Sequence, residues 1–91
     1  MFIGTLTGIF RFSELPEEYG PYVQFKAAID KRETINDDDE IAIINIQGTE
    51  SNHVLFLDSY NTAEEIKAEL KDADAKINHP SLKILENHLN K

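Results

Sequence analysis

The chain contains no cysteine and no tryptophan, and it has only four glycines and three prolines in 91 residues. Without cysteine there is no disulfide, no thiolate metal site and no cysteine nucleophile, so packing alone must hold the fold together. The glycines, at positions 4, 8, 20 and 48, form no phosphate-binding loop. No apolar run approaches the roughly 20 residues of a membrane span, and the N-terminus lacks the basic start of a signal peptide. We therefore expect a cytoplasmic protein without a membrane partner.

Lysine and arginine are also missing from one long stretch of the chain, residues 33–58. Seven acidic residues lie in this stretch and carry nearly all of the formal net charge of −8: Glu33, Asp37, Asp38, Asp39, Glu40, Glu50 and Asp58. A local acidic field repels nucleic acid and attracts basic surfaces. We predict that the chain binds a basic protein surface, such as one in a nucleic-acid-binding complex, and does not bind nucleic acid directly. The predicted partner-binding residues are Glu33, Asp37, Asp38, Asp39, Glu40 and Glu50.

The overall proportions of hydrophobic and charged residues are ordinary for a folded domain. Hydrophobic residues make up 41% of the chain and charged residues 29%, which excludes intrinsic disorder. A chain of this length builds one modest core, so we expect a single domain over residues 1–91.

Four segments are predicted to be strands, over residues of about 2–12, 22–30, 41–47 and 53–58. The first two alternate apolar and polar positions. In the second of them, Val23, Phe25, Ala27 and Ile29 would share the buried face. The last two are almost continuously apolar, which indicates strands that are central in the sheet or covered on both faces.

The hydrophobic period changes after residue 60. Thr62 and Glu65 have the spacing of a capping box, and apolar residues three and four apart predict a helix over about 63–77. Pro80 should end that helix and begin a shorter one over about 81–89.

These elements predict an α+β fold. Short links between the strands favour a four-stranded antiparallel β-meander in sequence order, with both helices packed on one face. The other face would then be left for solvent, a partner or a second copy of the chain, which makes a homodimer an expectation of this arrangement.

No motif for catalysis or metal binding is recognised, and we expect neither an enzyme nor a cofactor. An EF-hand loop beginning at Asp37 would place Ile41 at an acidic ligand position and Ala42 at the invariant glycine. The three histidines, His53, His79 and His88, have no ligand spacing, and no serine lies in a nucleophile elbow.

Three functional classes are consistent with this sequence. The first is an inhibitor that mimics the charge of nucleic acid, because small acidic domains without catalytic motifs are typical of phage-encoded anti-CRISPR and anti-restriction proteins. The second is a dimeric structural or adaptor module whose acids only confer solubility. The third is a domain similar to single-strand-binding OB-folds, with bases stacked on Phe10, Phe12, Tyr22 and Phe25. We rank them in this order and expect these aromatic residues to lie in the core.

Overall fold

The computed structural model describes residues 2–47 and 51–89, which form four strands and three α-helices. In chain order they are β1 (Phe2–Arg11), α1 (Gly20–Ile29), β2 (Glu40–Ile46), β3 (Asn52–Phe56), α2 (Ala63–Asp72), β4 (Ala75–Ile77) and α3 (His79–Leu89). Short 3-10 helices lie at Phe12–Glu14, Glu17–Tyr19 and Leu57–Ser59. The predicted α+β class is confirmed.

The four strands form one sheet in the order β3-β2-β1-β4. The pairs β1–β2 and β2–β3 are antiparallel, whereas β4 is parallel to β1. The predicted meander is therefore wrong. A parallel neighbour requires a crossover connection, and here the chain passes from β3 through α2 before it reaches β4.

The segment predicted to be a strand over residues 22–30 is the helix α1. Pro21 stands in the first turn, where its fixed φ favours a helix. The buried residues of α1 are Val23, Lys26 and Ala27, a helical spacing. Sequence reasoning missed this spacing because one buried position is a lysine, whose charge suggests a solvent-facing side chain until its partners are known.

Helices cover both faces of the sheet, which corrects the prediction that they share one face. Ile41 and Ile43 of β2 pack with α1 in one core, and Ala42, Ile44 and Ile46 pack with α2 and α3 in the other. The prediction that strand 41–47 is covered on both sides is confirmed. The uncovered sheet face on which the homodimer expectation rested is occupied by α1.

A β-bulge interrupts the alternation of β1. The register with β2 shifts between Leu6 and Gly8, so Leu6 and Ile9 pack against one core while Phe10 packs against the other. A bulge inserts one unpaired residue and reverses the side-chain phase. The simple alternation predicted for this strand therefore does not hold along its whole length.

The predicted helix over 63–77 ends early. α2 stops at Asp72, Asp74 has a φ of 56°, and Ala75–Ile77 leaves the helix to form β4. Thr62 makes no capping hydrogen bond with its side chain, and Glu65 accepts from the Asn61 N–H, so the predicted capping box does not form.

The predicted second helix is confirmed as α3. Its first turn is capped by Asn78, whose Oδ1 accepts the Ser81 N–H at 2.9 Å. In the described part of the chain no helix has the length and apolar character needed to cross a membrane.

Candidate functional site

Helix α1 presents apolar side chains to solvent as well as to the core. Tyr22, Phe25 and Ile29 are 36%, 69% and 57% exposed and lie three and four residues apart. Residues at this spacing lie on one side of a helix. We call these three residues the apolar stripe. The prediction that Tyr22 and Phe25 lie in the core is wrong, because the strand interpretation assigned Phe25 to the buried face.

Acidic residues stand at both ends of the apolar stripe. Glu17 and Glu18 lie in the short helix directly before α1, and both are exposed. Asp30 and Glu33 follow its last turn and are also exposed. At the C-terminal end Asp30 pairs with Lys26 at 3.3 Å, and Lys31 and Arg32 lie between Asp30 and Glu33. The helix therefore offers an apolar centre that is preceded by exposed acids and followed by a turn of mixed charge.

The predicted partner-binding residues divide into free and engaged acids. Glu33, Asp37 and Asp38 are exposed, and among them the structure shows no ion pair. Asp39 is half-buried, because its Oδ2 accepts the Asn36 N–H at 2.9 Å and lies 3.3 Å from Arg32 Nη2. We call residues 33–40 the acidic segment.

Arg32 fixes this segment to the rest of the domain. Its guanidinium donates two hydrogen bonds to the Asp58 carboxylate, at 3.0 and 2.8 Å, and stacks 4.3 Å above the Phe56 ring. Its hydrogen bond and charge lower the pKa of Asp58 despite partial burial. The turn after α1 therefore holds Asp39 and Asp58 together, although the two acids are far apart in sequence.

A shallow acidic groove of about 340 Å³ lies where β2 begins and the chain leaves β3. Four carboxylates line it: Asp38, Asp39, Glu40 and Asp58. His88 of α3 also lines it, with Nε2 2.8 Å from Glu40 Oε2. Glu50, the remaining predicted site residue, lies outside the described residues.

The carboxylates do not converge in the manner of a metal site. Among residues 2–47 and 51–89 no group of three or more histidine, aspartate or glutamate side chains is arranged to hold a metal ion. The acids of the groove instead form a broad negative surface, which suits extended positively charged groups better than a single ion.

A second polar cluster lies across the β3 edge of the sheet. Lys26 of α1 is 8% exposed, and its Nζ lies 2.5 Å from Glu69 Oε1 of α2 and 3.3 Å from Asp30 Oδ1. The other oxygen of Glu69 accepts the Tyr60 hydroxyl, and His53 Nε2 lies 3.5 Å from it. Because α1 and α2 cover opposite faces, this cluster joins the two helical layers around the edge strand.

The contacts within this cluster shift the pKa values of Glu69, Tyr60 and Lys26. Burial would raise the pKa of Glu69, but the neighbouring His53, Lys26 and Tyr60 outweigh it and lower that pKa to about 2. Burial and the neighbouring Glu69 carboxylate raise the pKa of Tyr60. Burial would lower the pKa of Lys26, but Glu69 and Asp30 raise it. Glu69, Lys26 and Tyr60 are therefore held in their ordinary charge states at neutral pH, as expected of a structural clamp.

Comparison with known proteins places the chain in a family. The matching family is the Domain of unknown function (DUF749), and the match covers residues 2–89. The chain belongs to this family.

Two relatives of this DUF749 member come from archaea. The "Uncharacterized protein MJ0858" of Methanocaldococcus jannaschii is 40% identical over 89 residues, covering 97% of this chain and 78% of that protein. A solved structure, the "Minimized average structure of MTH1880 from Methanobacterium Thermoautotrophicum", is 61% identical and covers 90% of this chain and 92% of that one, with a TM-score of 0.40. Neither name states an activity.

Two features of the chain were missed by the sequence analysis. Arg32 stands one residue before the acidic stretch, and its sequence position gives no signal that it pairs with Asp58. The apolar stripe was missed because its residues were assigned to a strand. Pro21 followed by residues spaced three and four apart was the available signal for the helix.

Proposed function

We propose that this chain is a non-catalytic interaction domain that binds a basic partner protein. The partner would contact the apolar stripe of α1 together with the free acids of the acidic segment. The observation that carries the proposal is the exposure of Phe25 and Ile29 on one side of a helix flanked by carboxylates.

Apolar side chains exposed to water on one side of a helix are unfavourable unless a partner covers them. Single exposed apolar residues are common on protein surfaces, but a stripe of them with a polar rim marks an interaction site. Fully burying a phenylalanine or isoleucine side chain is worth about 1.5 to 3 kcal/mol. Two such residues, aided by Tyr22, supply the apolar centre that a protein interface requires.

The acids determine which partner fits. Glu33, Asp37 and Asp38 extend the negative surface beyond the C-terminal end of α1. Complementary charge steers association and excludes acidic partners more than it adds affinity. The fitting partner is therefore a protein surface that combines apolar groups with lysine or arginine.

The experiment is site-specific photo-crosslinking in the native host, with benzoylphenylalanine at position 25 and, as a matched control, at position 84. Ile84 of α3 is also exposed, at 51%, but lies on the other helical layer. We expect a defined basic protein to crosslink at position 25 and not at position 84. Equal crosslinking at both positions, or an acidic product at position 25, would contradict the proposal.

Kinetics with the purified partner then separate the two parts of the surface. Neutralising the free acids with Glu33→Gln, Asp37→Asn and Asp38→Asn should slow association by about tenfold at low salt. Phe25→Ser should mainly speed dissociation. Asp39 is left unchanged because it holds Arg32. All variants should keep the wild-type melting temperature, since exposed residues contribute little to stability.

A narrower proposal is that the partner handles nucleic acid and that this domain competes by charge mimicry. The groove lined by Asp38, Asp39, Glu40 and Asp58 supports it, because it sets several carboxylates along one surface. Such a mimic should displace DNA or RNA from the partner. A partner that binds this domain and nucleic acid simultaneously would leave the general proposal intact and exclude mimicry.

A crosslink joining two copies of this chain would instead favour the dimeric module.

A further inference from the structure

A groove of about 420 Å³ lies between α2, β4 and α3, on the side of the sheet away from α1. Four basic or potentially basic residues line it: Lys67, Lys71, Lys76 and His79. Its apolar lining includes Ile77 and Leu82. The volume lies within the range of small-molecule sites, about 300 to 1,000 Å³.

The charge of this groove is opposite to that of the protein. The chain has nine lysines and arginines against seventeen acids, and three of the nine lie in this groove. Lys67 and Lys71 lie four residues apart on α2, which places them on one side of that helix. Of these two, Lys67 pairs with Glu64, at 3.5 Å, but that carboxylate is 77% exposed and the pair is weakly held.

The interior of the groove is apolar. Ile77 is 5% exposed and belongs to the core that α2 and α3 form with the sheet, and Leu82 packs against the same core. The position of Leu82 is fixed near the start of α3, where Asn78 caps the helix and its side-chain amide donates to the Thr5 hydroxyl of β1 at 3.0 Å. A ligand would therefore meet a preformed apolar wall beneath a positively charged rim.

We propose that this groove binds an amphipathic organic anion, a carboxylate or phosphate monoester carried on an apolar body. The lysines would hold the anionic group, because an ammonium group donates charge-assisted hydrogen bonds to these oxygens. Ile77 and Leu82 would contact the apolar body. This site is separate from the interaction surface proposed for α1 and does not depend on it.

The test is a titration of the labelled full chain followed by amide NMR shifts, with octyl phosphate as the probe. We expect saturable shifts at Lys71, Lys76, Ile77 and Leu82. Three comparison probes separate the contributions: octylammonium reverses the charge, inorganic phosphate removes the apolar body, and butyl phosphate shortens it. Each buried methylene contributes about fourfold in affinity, so butyl phosphate should bind at least tenfold more weakly even if its shorter chain is only partly buried. Octylammonium should not shift the groove.

Variants test the lysines directly. Lys71→Gln and Lys76→Gln should each weaken octyl phosphate binding by about tenfold, since each removes a charge-assisted hydrogen bond. The matched control is Lys83→Gln, the same change at an exposed position of α3, which should leave the affinity within twofold. All three positions are exposed, so the variants should fold normally.

Three results would each overturn the proposal. The first is the absence of saturable groove shifts at millimolar octyl phosphate. The second is equal binding of octylammonium and octyl phosphate, which would leave only a non-specific apolar contact. The third is an equal loss of affinity in Lys71→Gln and Lys83→Gln, which would mean that the lysines act only through the overall charge.

Discussion

Replacing Glu69 with glutamine should destabilise the domain far more than neutralising an acid on its surface. Glu69 is the common partner of Lys26, Tyr60 and His53, and it joins the helices on opposite faces of the sheet. In Glu69→Gln the buried ammonium of Lys26 keeps only Asp30 as a charged partner, at 3.3 Å, and the one amide oxygen replaces two carboxylate oxygens that accept from Lys26 and Tyr60. Removing one partner of a buried pair is costly because it leaves the other charge unsatisfied.

The magnitude follows from the burial of the groups left behind. Breaking a fully buried pair costs about 3 to 5 kcal/mol, and an unsatisfied buried hydroxyl adds about 1 to 3 kcal/mol. Glu69 keeps 26% of its side-chain surface exposed and Lys26 retains Asp30, so both penalties are reduced. We expect a loss of about 2 to 4 kcal/mol, equivalent to a fall of about 10 to 25 °C in melting temperature for a domain of this size.

The pH dependence gives an independent check. The pKa of Glu69 is lowered from 4.5 to about 2 in the folded state. A carboxyl whose pKa is depressed by folding stabilises the protein above its unfolded pKa, and this contribution disappears as the pH falls through its folded pKa. The stability difference between wild type and Glu69→Gln should therefore be full at pH 7 and shrink between pH 4.5 and 2, by about 2 kcal/mol after allowance for solvent screening.

Urea denaturation of both proteins from pH 2 to pH 7 measures both effects. The matched control is Glu64→Gln on the same helix, because Glu64 is 77% exposed and pairs only with Lys67 at the surface. Its cost should stay below about 0.5 kcal/mol. If Glu69→Gln is no more destabilising than this control, the clamp across β3 contributes nothing and the reasoning fails. The double variant Lys26→Met with Glu69→Gln should be less destabilised than the sum of its single changes.

Three further predictions concern the core and the surface charge. Leu70→Ala should lower the free energy of unfolding by about 2 to 5 kcal/mol in urea denaturation, because Leu70 of α2 is fully buried in the core. A loss below about 1 kcal/mol would mean that the helix packs loosely. Gly4→Ala should cost about 1 to 3 kcal/mol in the same assay, since its Cβ would lie 2.8 Å from Ile44 Cγ2 between two paired strands, and an unchanged stability would show that β1 moves freely. Labelled single-stranded DNA or RNA should show no mobility shift at micromolar protein and low salt, because no lysine or arginine lies between Glu33 and Asp58; a salt-dependent shift would reverse the ranking against nucleic-acid binding.

Local sequence patterns were enough to predict the secondary structure of segments whose structure depends on their own residues. The apolar run of β2, the strand β3 and the Pro80 start of α3 were predicted correctly, because β-branched runs and proline act over a few residues. The acidic character of residues 33–40 was likewise plain from the sequence, since a charge excess does not depend on folding.

The interpretation of residues 22–30 failed for a physical reason. Alternating and helical patterns coincide over short segments, and the choice here depended on whether Lys26 is buried. A lysine is buried only when partners satisfy its charge, and Glu69 lies 43 residues further along the chain. Sequence periodicity carries no information about such a contact.

Sequence patterns alone specified the α+β composition of this protein, the position of its charge excess and its two most apolar strands, β2 and β3. The packing of the whole domain determined which side of α1 is buried, the parallel placement of β4 and the surfaces that we propose for binding. Those features arise from contacts between residues distant in the chain: Arg32 with Asp58, Lys26 with Glu69, and the three elements around the basic groove. Contacts of this kind are selected by the packing of the whole domain, which overrides local preference wherever burial and charge pairing contribute more free energy.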